Sequence, residues 1–273
     1  ESFPPTDVPK GEFWELAYHS EVLDILCRLR EGLMADNSTD ARKALVAIIL
    51  GALHGPKLKT TKSYFSNQSQ RTYSPKPKYA IRYWTKHNHL PEFVDVMRII
   101  KERADRYYSD ELETATGKII LGDSRQESIF DGLNRSIDWV ITSPPYYGMR
   151  TYLPDQWLRW WFVGGPDDVE YSNKDQLEHE SPETFVSQLQ TVWENVGSIA
   201  NSNARMVIRF GGLNSRKVDH LPLIKESLQN TNWRTDTVIS AGFASNGNRQ
   251  AVHMKRKEPP KEEYDLWATW CGD

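Results

Sequence analysis

The chain has 273 residues, a net charge of −3, 38% hydrophobic and 26% charged residues, a balance that excludes a disordered or a membrane-embedded chain. Its two cysteines, Cys27 and Cys271, lie in unrelated contexts, which excludes a disulfide framework or a cysteine-rich zinc site and fits a reducing cytoplasm. No apolar run approaches the roughly 18 residues of a spanning helix, and the start, E-S-F-P-P-T-D, lacks the basic and apolar regions of a secretory signal.

The chain begins at Glu1 and its first methionine is Met34, which predicts a processed, truncated or engineered chain. Phe13, Leu16, Ala17, Val22, Leu23, Leu26 and Leu29 recur at helical spacing and predict an amphipathic helix over 12–34. Thr39 or Asp40 can cap a second helix over 41–53, which His54-Gly55-Pro56 stops. Residues 56–90 carry no clear period and are expected to be extended and partly ordered. A third helix is expected over 92–109, with Phe93, Val96, Met97, Ile100 and Ala104 on one face.

From Gly117 the pattern changes. Lys118–Leu121 reads as a short buried strand ending in Gly122-Asp123, and Ile137–Ile141 as a second strand ending in Thr142-Ser143-Pro144-Pro145-Tyr146. Trp157, Leu158, Trp160 and Trp161 predict a core helix. Helices are expected over 182–200 and 218–230, and strands over 204–210, 234–240 and 264–270. Alternating strands and helices indicate an α/β sheet with parallel pairs, whose ligands bind beyond the carboxyl ends of the strands. The division expected is a helical, basic region over 1–117 and an α/β core over 118–273.

Charge is uneven. Between Asp40 and Glu92 there is no acidic residue, while ten residues are basic. Within 57–86, Lys57, Lys59, Lys62, Arg71, Lys76, Lys78, Arg82 and Lys86 interleave with Tyr64, Phe65, Tyr73, Tyr79, Tyr83 and Trp84. Cations suit phosphates and aromatics suit unstacked bases, so this segment reads as a DNA-binding or target-recognition surface. The plainer reading is a solvated loop held to the core by its aromatics. His87 and His89 read as surface residues, and Asp167, Asp168 and Glu170 lack the following Glu-x-Lys of a nuclease, so no metal site is expected.

The segment Asp138–Tyr147 carries the chemistry. A hydrophobic strand runs into Ser143, two prolines and Tyr146. The prolines fix φ, remove two backbone donors and hold the residues before them extended. The result is a rigid turn whose carbonyls meet no competing N–H. Ser143 adds an acceptor and Tyr146 a flat face, which together suit a planar ligand with an exocyclic amine, such as a nucleobase.

This T-S-P-P-Y, with Gly122-Asp123 some twenty residues upstream, resembles the catalytic motif of amino-group DNA methyltransferases. The resemblance implies a Rossmann-like class I methyltransferase sheet, S-adenosylmethionine as cofactor and double-stranded DNA as partner, in a restriction–modification or defence setting. It implies a base flipped from the duplex, its amine accepted by Ser143 and the Pro144 carbonyl, its ring stacked on Tyr146, and Pro145 completing the turn. Gly122, Asp123 and Ser124 match the cofactor-side position, where Asp123 can accept from the adenine amine; a turn-capping Asp is the alternative. Serine in the first motif position is more typical of cytosine N4 than of adenine N6 methylation. Neither cysteine lies in the context that ring-carbon methylation needs.

One expected motif is missing. The family's glycine-rich cofactor loop, roughly Phe-x-Gly-x-Gly after a strand, has no good match. Phe210-Gly211-Gly212-Leu213-Asn214 follows a strand but carries Asn214 where the second glycine belongs, so it reads as a later sheet element. The motif is expected outside the chain's ends, the N-terminal side first, or in a second chain. RNA or protein amino groups are the alternative substrates, and half of a split enzyme the alternative role.

Overall fold

The computed structural model describes residues 4–55, 62–66, 76–110, 116–133, 137–150, 152–171, 176–214, 216–243 and 261–272. The chain divides into two compact units, residues 1–116 with 151–171, and residues 117–150 with 172–273.

The first unit is helical: α1 Glu12–Ala17, α2 Ser20–Ala35, α3 Asp40–Ala52, α4 Pro77–Lys86, α5 Val96–Tyr107 and α6 Tyr152–Phe162. The single helix expected over 12–34 is broken. Tyr18 and His19 are extended, and the buried Tyr18 hydroxyl donates to the Leu53 carbonyl at 2.8 Å. Helix α3 begins as expected, with the Thr39 hydroxyl accepting from the Arg42 amide. Helix α5 starts four residues later than expected because Asp95 caps it, accepting from the Arg98 amide.

Helix α4 corrects the reading of 56–90 as extended. Pro77 occupies its first turn, where a missing N–H costs nothing, and Pro77, Ala80 and Trp84 form its buried face. Pro77, Ala80, Ile81 and Trp84 fall at i, i+3, i+4 and i+7, a helical period confined to these ten residues and diluted by the aperiodic, basic stretch before them. Residues 151–171 correct the division at 117/118. Trp157, Leu158, Trp161 and Phe162 of α6 are buried in the helical unit, where Trp157 meets Phe13 at 5.1 Å and Trp161 meets Trp14 at 4.6 Å between ring centroids. Continuity along the chain suggests otherwise, but the apolar face of α6 has its partners among the N-terminal helices.

The second unit holds a four-stranded sheet: β1 Ile137–Thr142, β2 Ala200–Phe210, β3 Trp233–Phe243 and β4 Glu262–Trp270, in the order β1-β2-β4-β3. Among the described strands only β1 and β2 are parallel; β4 runs antiparallel to both its neighbours. Met206, Ile208 and Phe210 alternate toward one face, where they pack with Phe185, Leu189 and Trp193 of α7 (Pro182–Gly197) and Leu223 and Ile224 of α8 (His220–Glu226). This is the expected α/β class, with one parallel pair rather than several.

The strand expected at Lys118–Leu121 is absent. Among the described residues the segment joins no sheet, and Ile119 and Leu121 are 98% and 101% exposed. Strand β1 lies at the sheet edge, with Trp139 and Ile141 exposed on one face. Among the described residues, no helix is long and apolar enough to cross a membrane.

Candidate active site and candidate nucleic-acid face

Because β1 and β2 are parallel, their carboxyl ends leave the sheet on the same side. Thr142 pairs with Ile208, and Phe210 pairs with Tyr264 on β4. The turn after β1, the glycines after β2 and the start of β4 therefore meet. The Tyr146 hydroxyl donates to Glu263 Oε1 at 3.0 Å, and its ring lies edge-on to Phe210 at 5.4 Å. Glu263 is buried. A Cβ at Gly211 would sit 2.9 Å from Tyr146 Cε2 and 2.9 Å from Glu263 Cγ, so only glycine leaves room for this ring and this carboxylate together.

Two adjacent tyrosines part company here. Tyr147 is buried against Phe185 at 5.4 Å, with the Arg216 guanidinium 5.7 Å from its ring centre. The turn is closed by the Met149 amide, which donates to the Tyr146 carbonyl at 2.9 Å, and by Gly148 at φ +83°. The Gly148 amide donates to His179 Nδ1 at 3.1 Å. Burial, then the charges of Arg150 and Arg216, hold the His179 pKa below its ordinary value, which keeps the imidazole neutral and its Nδ1 an acceptor. Ser143 is exposed and free of hydrogen bonds among the described residues.

The upstream turn is held differently. Both Asp123 oxygens accept from Arg125 Nε at 3.0 Å, Oδ2 also takes Nη2 at 2.6 Å, and Oδ1 takes the Arg125 amide at 3.0 Å. The Arg125 side chain holds the Asp123 carboxyl below its ordinary pKa. Arg125 reaches on to the Gln176 carbonyl and the Gln188 side chain, and the Ser124 carbonyl accepts from Asn195. A Cβ at Gly122 would lie 2.8 Å from Ile129, so this glycine admits a close neighbour of its own chain. These bonds match the turn-capping reading of Asp123. No hydrogen bond joins Gly122, Asp123 or Ser124 to Ser143–Tyr146 among the described residues.

Glu263 and His179 meet this turn without being singled out by the sequence, and Gly211, read there only as a later sheet element, joins them. Glu263 sits in Lys261-Glu262-Glu263, which reads as a solvated charge run, and only the register of β4 brings it to Tyr146. Beside it, Arg209 makes two 2.7 Å bonds to the Asp265 carboxylate, holding that carboxyl low and its own guanidinium charged.

In the helical unit, Lys57, Lys59 and Arg71 lie outside the described residues. Lys62 is ion-paired with Glu92. Lys76 stands at the start of α4 without a side-chain capping bond, and Lys78, Arg82 and Lys86 follow at four-residue intervals as one exposed row along it. Tyr79 and Tyr83 form the adjacent row, stacked at 6.4 Å, and His87 continues it 4.3 Å from Tyr83. A row of cations beside a row of rings, on one helix with its third face buried, is an arrangement that can follow a phosphate backbone.

No family model and no curated protein sequence matches the chain. Among solved structures, a candidate DNA modification methylase of Thermus thermophilus, complexed with S-adenosyl-L-methionine, is 21% identical over 56% of this chain and 55% of that one, at a TM-score of 0.34. The cytosine-N4-specific PvuII DNA methyltransferase is 10% identical over 57% and 50%, at a TM-score of 0.35. The chain thus spans about half the length of these proteins. The likeness is slight at these scores, and the site stands on its own residues.

Proposed function

We propose that this chain is a site-specific, amino-group DNA methyltransferase that binds the flipped base at Ser143–Tyr146, with cytosine N4 placed ahead of adenine N6. One observation carries the reading: an exposed serine follows the carboxyl end of β1, and three residues on a tyrosine is held by Glu263 and Gly211. A flipped base would donate its amine to Ser143 Oγ and the Pro144 carbonyl and lay its ring against Tyr146. Those acceptors keep the amine lone pair from delocalising into the ring. Pro144 and Pro145 keep the acceptors free of competing donors and fixed in place, so positioning and electrostatics do the catalytic work.

S-adenosylmethionine would supply an electrophilic methyl group. The described residues do not form a complete cradle for it: the Asp123 carboxylate is committed to Arg125, and no Phe-x-Gly-x-Gly loop follows a described strand. The second reading, half of a split enzyme, is favoured by the edge position of β1. Trp139 and Ile141 on that strand are exposed, as are Ile119 and Leu121 in the same unit. They leave room for a further parallel strand, from a second chain or from further sequence of the same protein, that brings the glycine-rich loop. Cytoplasmic action on double-stranded DNA in a restriction–modification system completes the proposal.

Incorporation of tritiated methyl groups into duplex DNA, RNA and protein, measured side by side, tests it. Duplex DNA should be labelled, and Ser143→Ala or Tyr146→Ala should abolish labelling without unfolding the chain. Full activity in both variants overturns the assignment. Calorimetry with S-adenosylmethionine separates the two readings: tight binding by this chain alone rules out the split one.

A further inference from the structure

A cavity of about 840 Å³ lies wholly within the helical unit, and no residue of the Ser143–Tyr146 turn lines it. Its size falls in the range of roughly 300–1,000 Å³ typical of small-molecule sites. Buried Phe13, Trp14 and Trp157 form an aromatic base, and exposed Tyr79 and Tyr171 also line it. Lys76, Lys78 and Arg82, the start of the cationic row on α4, stand at its edge. Asp167 and Asp168 also line it; the Asp167 carbonyl accepts from Trp14 Nε1 at 3.0 Å, and Asp168 Oδ1 takes the Val169 amide at 2.7 Å. Lys10 and Glu12 complete the charged lining.

Aromatic walls suit a flat ring, the cations suit a phosphate, and the carboxylates suit ring N–H donors. A nucleotide carries all three groups on one unit, and the cationic row on α4 favours a phosphate-bearing occupant. The row Lys86, Arg82, Lys78 leads along α4 to the cavity, so a strand tracking that row delivers its next nucleotide there.

We propose that this cavity receives one unpaired nucleotide of a DNA strand lying along α4, with its base among Trp14, Tyr79 and Tyr171 and its phosphate on Lys78 and Arg82. The proposal rests on the reading of α4 as a DNA-contacting helix. It makes the helical unit a reader of distorted or opened DNA, separate from the Ser143 turn.

The test compares two duplexes of the same sequence, one fully paired and one carrying a single bulged 2-aminopurine, by anisotropy and by 2-aminopurine quenching. The bulged duplex should bind at least about fivefold more tightly, the lower end of what stacking one base supplies. Tyr79→Ala with Tyr171→Ala should remove that preference and the quenching; both side chains are exposed, and circular dichroism confirms folding. Lys86→Gln, outside the cavity, should weaken both duplexes equally. The preference should survive Tyr146→Ala. Equal affinity for the two duplexes, or a preference lost in Tyr146→Ala and kept in the double tyrosine variant, overturns the proposal and leaves DNA binding by α4 intact. Binding to neither duplex overturns the DNA reading and this proposal with it.

Discussion

The Tyr146 hydroxyl donates to the Glu263 carboxylate at 3.0 Å, joining the turn after the first strand of the sheet to the start of its last. Under the proposed function, that bond sets the plane of the ring that stacks on a base beside Ser143. Tyr146→Phe keeps the ring and removes the donor, leaving a buried carboxylate one partner short. The expected cost is about 1–3 kcal/mol in unfolding free energy, with methyl transfer lowered but measurable. Tyr146→Ala, which removes the ring, should abolish transfer. Denaturant unfolding and labelling of duplex DNA on both variants separate orientation from stacking.

Gly211 serves the same ring by having no side chain. Its φ is not in the left-handed region, so Gly211→Ala acts through the 2.9 Å approaches to Tyr146 and Glu263 alone. The ring must tilt or the carboxylate must withdraw. The expected outcome is a fall in turnover of at least tenfold with a loss of stability of about 1–3 kcal/mol, the usual range for overpacking. Equal turnover in Gly211→Ala would mean that the ring plane does not matter.

How far the sequence discloses this site depends on the range of each interaction. The strand Ile137–Thr142, the proline turn and the capped start of α3 are local features, and all are legible in it. The Tyr146–Glu263 bond needs the antiparallel register of β4, which no local pattern encodes. The Lys118–Leu121 segment shows the opposite error. Its apolar composition reads as a buried strand, but a strand also needs a neighbour to bond, and no described strand pairs with it. Helix α4 does carry a helical period, Pro77, Ala80, Ile81 and Trp84, but it spans only ten residues inside a long basic stretch with three prolines, so read over 56–90 as a whole the period is lost.

His179 gives the turn a pH dependence. Its Nδ1 accepts the Gly148 amide, and its pKa is held below 6.5 by burial, Arg150 and Arg216. The unfolded chain therefore takes up the proton first as pH falls. The stability contributed by neutral His179 is full above pH 6.5, and it declines as pH falls from there toward the lowered folded value. Below that value the folded ring is protonated too, and Nδ1 can no longer accept. Amide hydrogen exchange should show Gly148 protected at neutral pH and exposed in acid before the sheet opens. His179→Gln should remove the stability slope in that window.

The edge of the sheet predicts how the chain behaves in solution. Trp139 and Ile141 are 53% and 79% exposed on β1, whose outer backbone groups face no described strand. Such an edge recruits other strands. The chain alone should self-associate with rising concentration, and Ile141→Lys should suppress this in sedimentation velocity runs. Because Ile141 is already in water, the substitution should change unfolding free energy by no more than about 0.5 kcal/mol. A large loss of stability would mean that the residue is packed in solution.

The cationic row on α4 makes a quantitative claim about salt. Each phosphate neutralised contributes a slope of about −0.9 to the logarithm of affinity against the logarithm of salt concentration on duplex DNA. Lys78, Arg82 and Lys86 are exposed at four-residue spacing, so each can reach a separate phosphate. Replacing all three by Gln should make the slope shallower by up to about 2.7, and single replacements by about 0.9 each. Lys62, already paired with Glu92, should change it little when replaced. The residues that follow the helical spacing, not those that merely raise the local charge, should carry the effect. A slope that falls equally in Lys62→Gln and in Arg82→Gln would instead assign binding to diffuse charge across the segment.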